Sequence, residues 1–176
     1  MPNITQASHA ELDEFVKWFN DKHSLHPIII GGWAVYHYNP YAGSKDIDVV
    51  FEFKRDAWER QLNQYYNARG YELLPKDTRG KLDLVETFRK QVDGGYIDVD
   101  ACSVHDKNAF HNPAYAGKEI PFALTQTHNA EVKTDDGKGT YRIPTIELLV
   151  LYKLKAYGDR HTRTGISTDQ AEITYR

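Results

Sequence analysis

The chain has 176 residues, of which 40% are apolar, 27% charged and 12% aromatic. That composition supports a buried core and excludes a disordered chain. A formal net charge of −3 gives no basic field for coating nucleic acid, so such a contact needs a local patch. The apolar runs fall far short of the ~20 residues that span a bilayer, and no basic-then-apolar leader pattern opens the sequence. A single cysteine, Cys102, excludes an internal disulfide and an all-cysteine zinc site. The expected compartment is the cytoplasm, with no membrane partner.

In chain order, Leu12, Phe15, Val16, Trp18 and Phe19 form a stripe at helical spacing, with Ser8 as the expected cap. Ile28-Ile29-Ile30 reads as a short buried strand, broken by Gly31-Gly32. A short helix over residues 33–38 stops at Asn39-Pro40. A second strand runs from Ile47 to Phe53 with Asp46 and Asp48 at its start. Residues 55–69 predict an amphipathic helix ended by Gly70, and residues 71–74 a strand.

Two alternating stretches on either side of Val92-Asp93-Gly94-Gly95 predict a hairpin whose second strand carries Asp98 and Asp100. Residues 105–128 carry no period. A weaker hairpin spans residues 131–143. Pro144-Thr145 opens a long helix over about residues 146–159, dense enough in apolar residues to predict burial on more than one face. The expected division is residues 1–143 as the main domain. Residues 144–176 form a C-terminal helical segment that reads as the start of a larger helical domain.

Three features converge on one chemistry. Gly31-Gly32 sits between a strand and a helix, where backbone amides can hold a phosphate. In Ser44-Lys45-Asp46-Ile47-Asp48 the two carboxylates share one strand face, about 6–7 Å apart. Such a pair suits hard divalent cations. Tyr96-Ile97-Asp98-Val99-Asp100-Ala101 supplies a third acid, either Asp98 or Asp100, with Asp98 favoured for its apolar neighbours. Ser44 either contacts phosphate or caps the turn before its strand. Lys153, Lys155, Arg160, His161 and Arg163 form a local basic cluster, a phosphate or RNA patch or a solvated helix end. Cys102 reads as a small buried residue, and Tyr36 and Tyr38 as packing or base-stacking rings.

Gly31-Gly32 and Ser44-x-Asp46-Ile47-Asp48 together resemble the nucleotidyltransferase superfamily with the polymerase-β-type palm. Gly-Gly-x-Ala at residues 31–34 and Lys153-Leu154-x-Ala156-x-x-x-Arg160 are similar to the abortive-infection toxin branch, of the AbiEii/AbiGii type. That branch also has a Lys-Asp-x-x-Asp motif, which here reads Thr168-Asp169-Gln170-Ala171-Glu172. The resemblance implies an α/β (α+β) fold, a small mixed sheet flanked by helices. It implies a magnesium-dependent enzyme moving a nucleotide from an NTP to a hydroxyl acceptor. Asp46, Asp48 and Asp98 or Asp100 would hold two Mg2+ ions, Gly31, Gly32 and Ser44 the nucleotide, and Lys153 and Arg160 its phosphates. The implied acceptor is a tRNA, and the implied setting a toxin with a cognate antitoxin protein. Transfer to a protein or small molecule, or a non-catalytic nucleotide- or partner-binding module of the same fold, are the alternatives.

Overall fold

A computed structural model describes residues 3–75, 85–105 and 120–164, with side chains in the last segment described to residue 158. Helix α1, Ile4–Lys22, begins at Asn3. The Asn3 carboxamide accepts the Gln6 amide (2.9 Å), while the Gln6 side chain accepts the Asn3 amide (3.0 Å), a reciprocal capping box. Ser8, the expected cap, lies inside the helix, where its buried hydroxyl accepts a hydrogen bond from Trp33 Nε1 (3.1 Å). Asn3 outcompetes it because, paired with Gln6, it leaves two orphan amides satisfied at once.

Strand β1 (Ile28–Ile30) runs directly into helix α2 (Gly31–Tyr38), followed by β2 (Ile47–Phe51) and α3 (Arg55–Ala68). Gly70, at φ +78°, turns the chain after α3 as expected. Strands β3 (Glu72–Leu73), β4 (Glu86–Val92) and β5 (Gly95–Ser103) come next, then a 3-10 turn (Phe122–Gln126). The chain closes with β6 (Asn129–Lys133), β7 (Thr140–Pro144) and α4 (Ile146–Thr164). Pro144 ends β7 instead of opening α4. Seven strands form one sheet in the order β3-β4-β5-β2-β1-β7-β6. Pairing is parallel for β2 with β5 and β1 with β7, and antiparallel elsewhere. The architecture is therefore the expected mixed α/β sheet flanked by helices.

Strand alternation gives the sheet two unlike faces. Ile29, Ile47, Val49, Phe51, Phe88 and Val99 face a large core with Phe15 and Phe19 of α1 and Trp58 and Tyr66 of α3. The other face is split along the strands. Ile28, Val50, Cys102 and Val104 form a small second core with Phe122, against which the Tyr152 ring of α4 stands edge-on (5.5 Å). The neighbouring positions on that face, at the start of β2 and the middle of β5, carry the acids. Cys102 is buried there, as expected.

Helix α4 departs from expectation. Leu148 and Leu149 are buried, yet Val150 is 51% and Leu154 63% exposed. Among the described residues, one face of the helix packs against the body of the fold and the other does not, despite its apolar residues. Among the described residues no helix is long and apolar enough to cross a membrane.

Phe15 is fully buried and its ring meets those of Phe19, Phe51 and Tyr66. Replacing it leaves a cavity between α1, α3 and the sheet, so Phe15→Ala should cost ~3–5 kcal/mol, read from the midpoint of urea denaturation.

Candidate active site

The site begins where β1 becomes α2. Antiparallel pairing sets Ile30 opposite Asp48, so the next residue, Gly31, arrives against the Asp48 carboxylate. A Cβ at Gly31 would lie 1.9 Å from Asp48 Oδ2, and the residue holds φ +68°. Both observations require glycine. One residue on, a Cβ at Gly32 would lie 2.4 Å from Ser44 Oγ. The pair thus lets the N-terminus of α2, with its unsatisfied amides and positive dipole end, approach the acid-bearing segment. Ser44 itself caps the turn into β2: its hydroxyl donates to the Asp46 carbonyl (2.9 Å) and accepts from the Asp46 amide (3.3 Å).

Parallel pairing of β2 with β5 puts Asp48 directly beside Asp100. On the far side, β4 is antiparallel to β5 and sets Thr87 opposite Asp100 and Arg89 opposite Asp98. The Thr87 hydroxyl donates to Asp100 Oδ1. Arg89 donates through Nε and Nη2 to both oxygens of Asp98, each at 2.7 Å, a bidentate pair, and its guanidinium stands 5.0 Å from the Tyr96 ring. Its hydrogen bonds to Asp98 raise the Arg89 pKa further, with added contributions from Tyr96 and Asp46.

Asp46, Asp48, Asp98 and Asp100 are all half-buried. Carboxylates gathered on one partly desolvated face repel one another. Of the two candidates for third acid, Asp98 is already held by a guanidinium at both oxygens, whereas Asp100 neighbours Asp48. An all-oxygen donor set of Asp46, Asp48 and Asp100 is of the chemical kind that magnesium takes, although among the described residues the three donors whose ligand atoms lie within 4.8 Å of one another are His9, Asp13 and Asp135.

Lys153 is exposed on α4 and lines a cavity between α4 and α2, together with Val35 and Tyr38. The Arg160 side chain, His111 and the segment Thr168 to Glu172 lie outside the described residues. His105 uses Nε2 to meet the Glu52 carbonyl (3.1 Å). Sequence reading missed Thr87 and Arg89. A signal for them exists: once Asp93-Gly94 is the hairpin turn, counting back across the ladder pairs residue 89 with 98 and 87 with 100. It also missed a group of metal-type donors, His9, Asp13 and Asp135, whose ligand atoms lie within 4.8 Å of one another. His9 and Asp13 are one helical turn apart on α1, and the His9 ring stacks on Trp33 at 4.7 Å. Asp135 comes from the β6–β7 turn, and no local pattern connects it to α1.

No protein-family model matches the chain, and no curated protein matches it. Among solved structures, it is similar to a "putative nucleotidyltransferase (TM1012)" of Thermotoga maritima. The TM-score is 0.54 at 9% identity, over 97% of this chain and 96% of that one. The likeness is one of fold: the mixed sheet and its helices are nucleotidyltransferase-like.

Gly31→Ala should displace Asp48 and strain the left-handed backbone, the latter alone costing ~1–2 kcal/mol. In an Asp48→Gly background the steric part disappears. The loss on Gly31→Ala should then shrink toward the backbone cost, and chemical denaturation of the four proteins of this double-mutant cycle measures the difference.

Proposed function

We propose that this protein is a magnesium-dependent nucleotidyltransferase that moves a nucleotide from an NTP to a hydroxyl acceptor. The observation that carries the reading is the contact between Gly31 and Asp48, with Asp100 beside Asp48 on the adjoining strand. It joins a helix N-terminus suited to phosphate and a carboxylate set suited to magnesium. The nucleotidyltransferase-like fold of the Thermotoga maritima neighbour supports it.

Asp46, Asp48 and Asp100 would hold the ions. When bound, magnesium neutralises phosphate charge and favours ionisation of the attacking hydroxyl. The backbone amides at Gly31 and Gly32 receive phosphate oxygens of the NTP, and Lys153 adds a cation from α4. The acceptor oxygen forms a bond to the α-phosphorus as the bond to the β-phosphate oxygen breaks, releasing pyrophosphate. The hydroxyl proton passes to a carboxylate of the acidic set. Asp98 acts through Arg89, which it holds in place over the acidic face. Thr87 orients the Asp100 carboxylate by its hydrogen bond.

The acceptor we favour is a tRNA, and the setting a toxin held by an antitoxin protein. Both rest on the likeness of residues 31–34, 44–48 and 153–160 to the AbiEii/AbiGii-type branch. The positive charges of Lys153 and Lys155 on α4 are in keeping with an RNA backbone as partner.

Incubation with labelled NTPs, magnesium and total tRNA tests the reading. Label should pass to RNA, and Asp48→Asn and Asp100→Asn should each lower the rate at least about 100-fold, the scale on which charged groups at a reacting centre act. Asp98→Asn should cost about tenfold or less, because it loosens Arg89 without removing a metal ligand. Label on a protein or small molecule instead would move the acceptor class. No magnesium-dependent transfer and no magnesium-dependent NTP binding would overturn the enzyme.

A further inference from the structure

We infer that the cavity between α2 and α4 receives the nucleobase and ribose of the NTP, and that it holds the base by stacking and burial with little discrimination among bases. This rests on the nucleotidyltransferase reading and names the remainder of its substrate site. The cavity measures about 780 Å3, within the range of small-molecule sites. Val35 and Tyr38 wall it on α2, and Val150, Lys153, Leu154 and Tyr157 on α4.

Its position follows from helical geometry. Gly31, Val35 and Tyr38 stand at i, i+4 and i+7, one stripe of α2. Gly31 meets Asp48 at the foot of that stripe, and Tyr38 stands ~10 Å further along the axis. A nucleotide whose phosphates lie at the N-terminus of α2 would thus extend its sugar and base along this stripe into the cavity. Lys153 puts a cation in the same wall, complementary to the phosphate charge.

The walls also say how the base is held. Val150, Leu154 and Tyr157 are 51%, 63% and 42% exposed, an apolar surface that a flat ring would cover. Two polar groups on the α2 side of the wall, one on Tyr38 and one on Asn39 just after that helix, are already engaged within the protein. The Tyr38 hydroxyl donates to the Pro144 carbonyl (3.0 Å), and Asn39 Oδ1 accepts the Tyr41 amide (3.3 Å). Ring stacking tolerates any base, since each has a π-face, whereas discrimination needs hydrogen bonds to the base edge.

Calorimetric titration with magnesium present tests this, comparing ATP, GTP, CTP and UTP with inorganic tripolyphosphate. The four NTPs should bind within about fivefold of one another, and each about tenfold or more tighter than tripolyphosphate, as stacking strengths imply. Tyr157→Ala and Val150→Trp, the second narrowing the cavity at an exposed position, should abolish most of that advantage. Both should leave tripolyphosphate binding and the melting temperature near those of the parent protein. Asp48→Asn should weaken every ligand, tripolyphosphate included. Tripolyphosphate binding as tightly as the NTPs, or NTP binding indifferent to both cavity variants, would overturn the cavity while leaving the phosphate site standing. A single NTP favoured by more than about 100-fold would overturn stacking as the means of recognition, since that margin demands base-edge hydrogen bonds. Failure of every ligand to bind would overturn the nucleotidyltransferase reading together with this one.

Discussion

The approach of Gly31 to Asp48 is the contact on which the rest of the site depends. A helix N-terminus and a carboxylate come this close only if the residue between them has no Cβ and tolerates a left-handed φ. The interior of the sheet enforces that approach. Ile28, Ile29 and Ile30 are each 5% exposed or less, so β1 is gripped from both faces and cannot slide. Its antiparallel register with β2 then delivers Gly31 to Asp48, and the same register brings Gly32 against Ser44.

The division of one sheet face is the second consequence of strand geometry. Moving along β5, the side chains on that face change from Asp98 and Asp100 to Cys102 and Val104. On β2 they change from Asp48 to Val50. The apolar end is sealed by Phe122 and Tyr152. The acidic end lies at the mouth of the turn into α2, half-buried, where water screens the charges less than on an open surface. Arg89 and Thr87 restrain two of the four carboxylates from the neighbouring strand. An acidic face so arranged is poised for cations, and a helix N-terminus beside it is poised for anions. The metal-bound polyphosphate proposed above would draw on both.

Helix α4 is where composition and environment part company. Its apolar residues are numerous enough for a fully buried helix, yet among the described residues only part of its circumference meets the fold. The remainder forms one wall of the cavity that opens from the same stripe of α2 as Gly31. A wall of aliphatic and aromatic side chains carrying one lysine suits a ligand that is flat and apolar at one end and anionic at the other.

Much of this was legible in the residue order alone. Alternation placed the strands and put Ile47 and Val49 inside with Asp48 on the opposite face, because successive strand side chains point to opposite faces. Gly94 marked the β4–β5 turn, and Gly31-Gly32 marked the close approach of α2 to Asp48 and Ser44, because glycine is a demanding choice locally. Helix start signals were weaker: Ser8 has the chemistry of a cap, but Asn3 with Gln6 does the same work better, and Ser8 was needed by Trp33. Three matters were settled only by the assembled sheet. Which acid neighbours Asp48 depends on parallel pairing between strands some fifty residues apart in sequence, and no short-range pattern encodes a register over that separation. Asp98 and Asp100 look alike in sequence, and differ because β4 happens to set an arginine opposite one and a threonine opposite the other. Finally, the cavity belongs to neither α2 nor α4 alone. It exists because the two helices, about a hundred residues apart in the chain, are held at a spacing that their side chains do not fill.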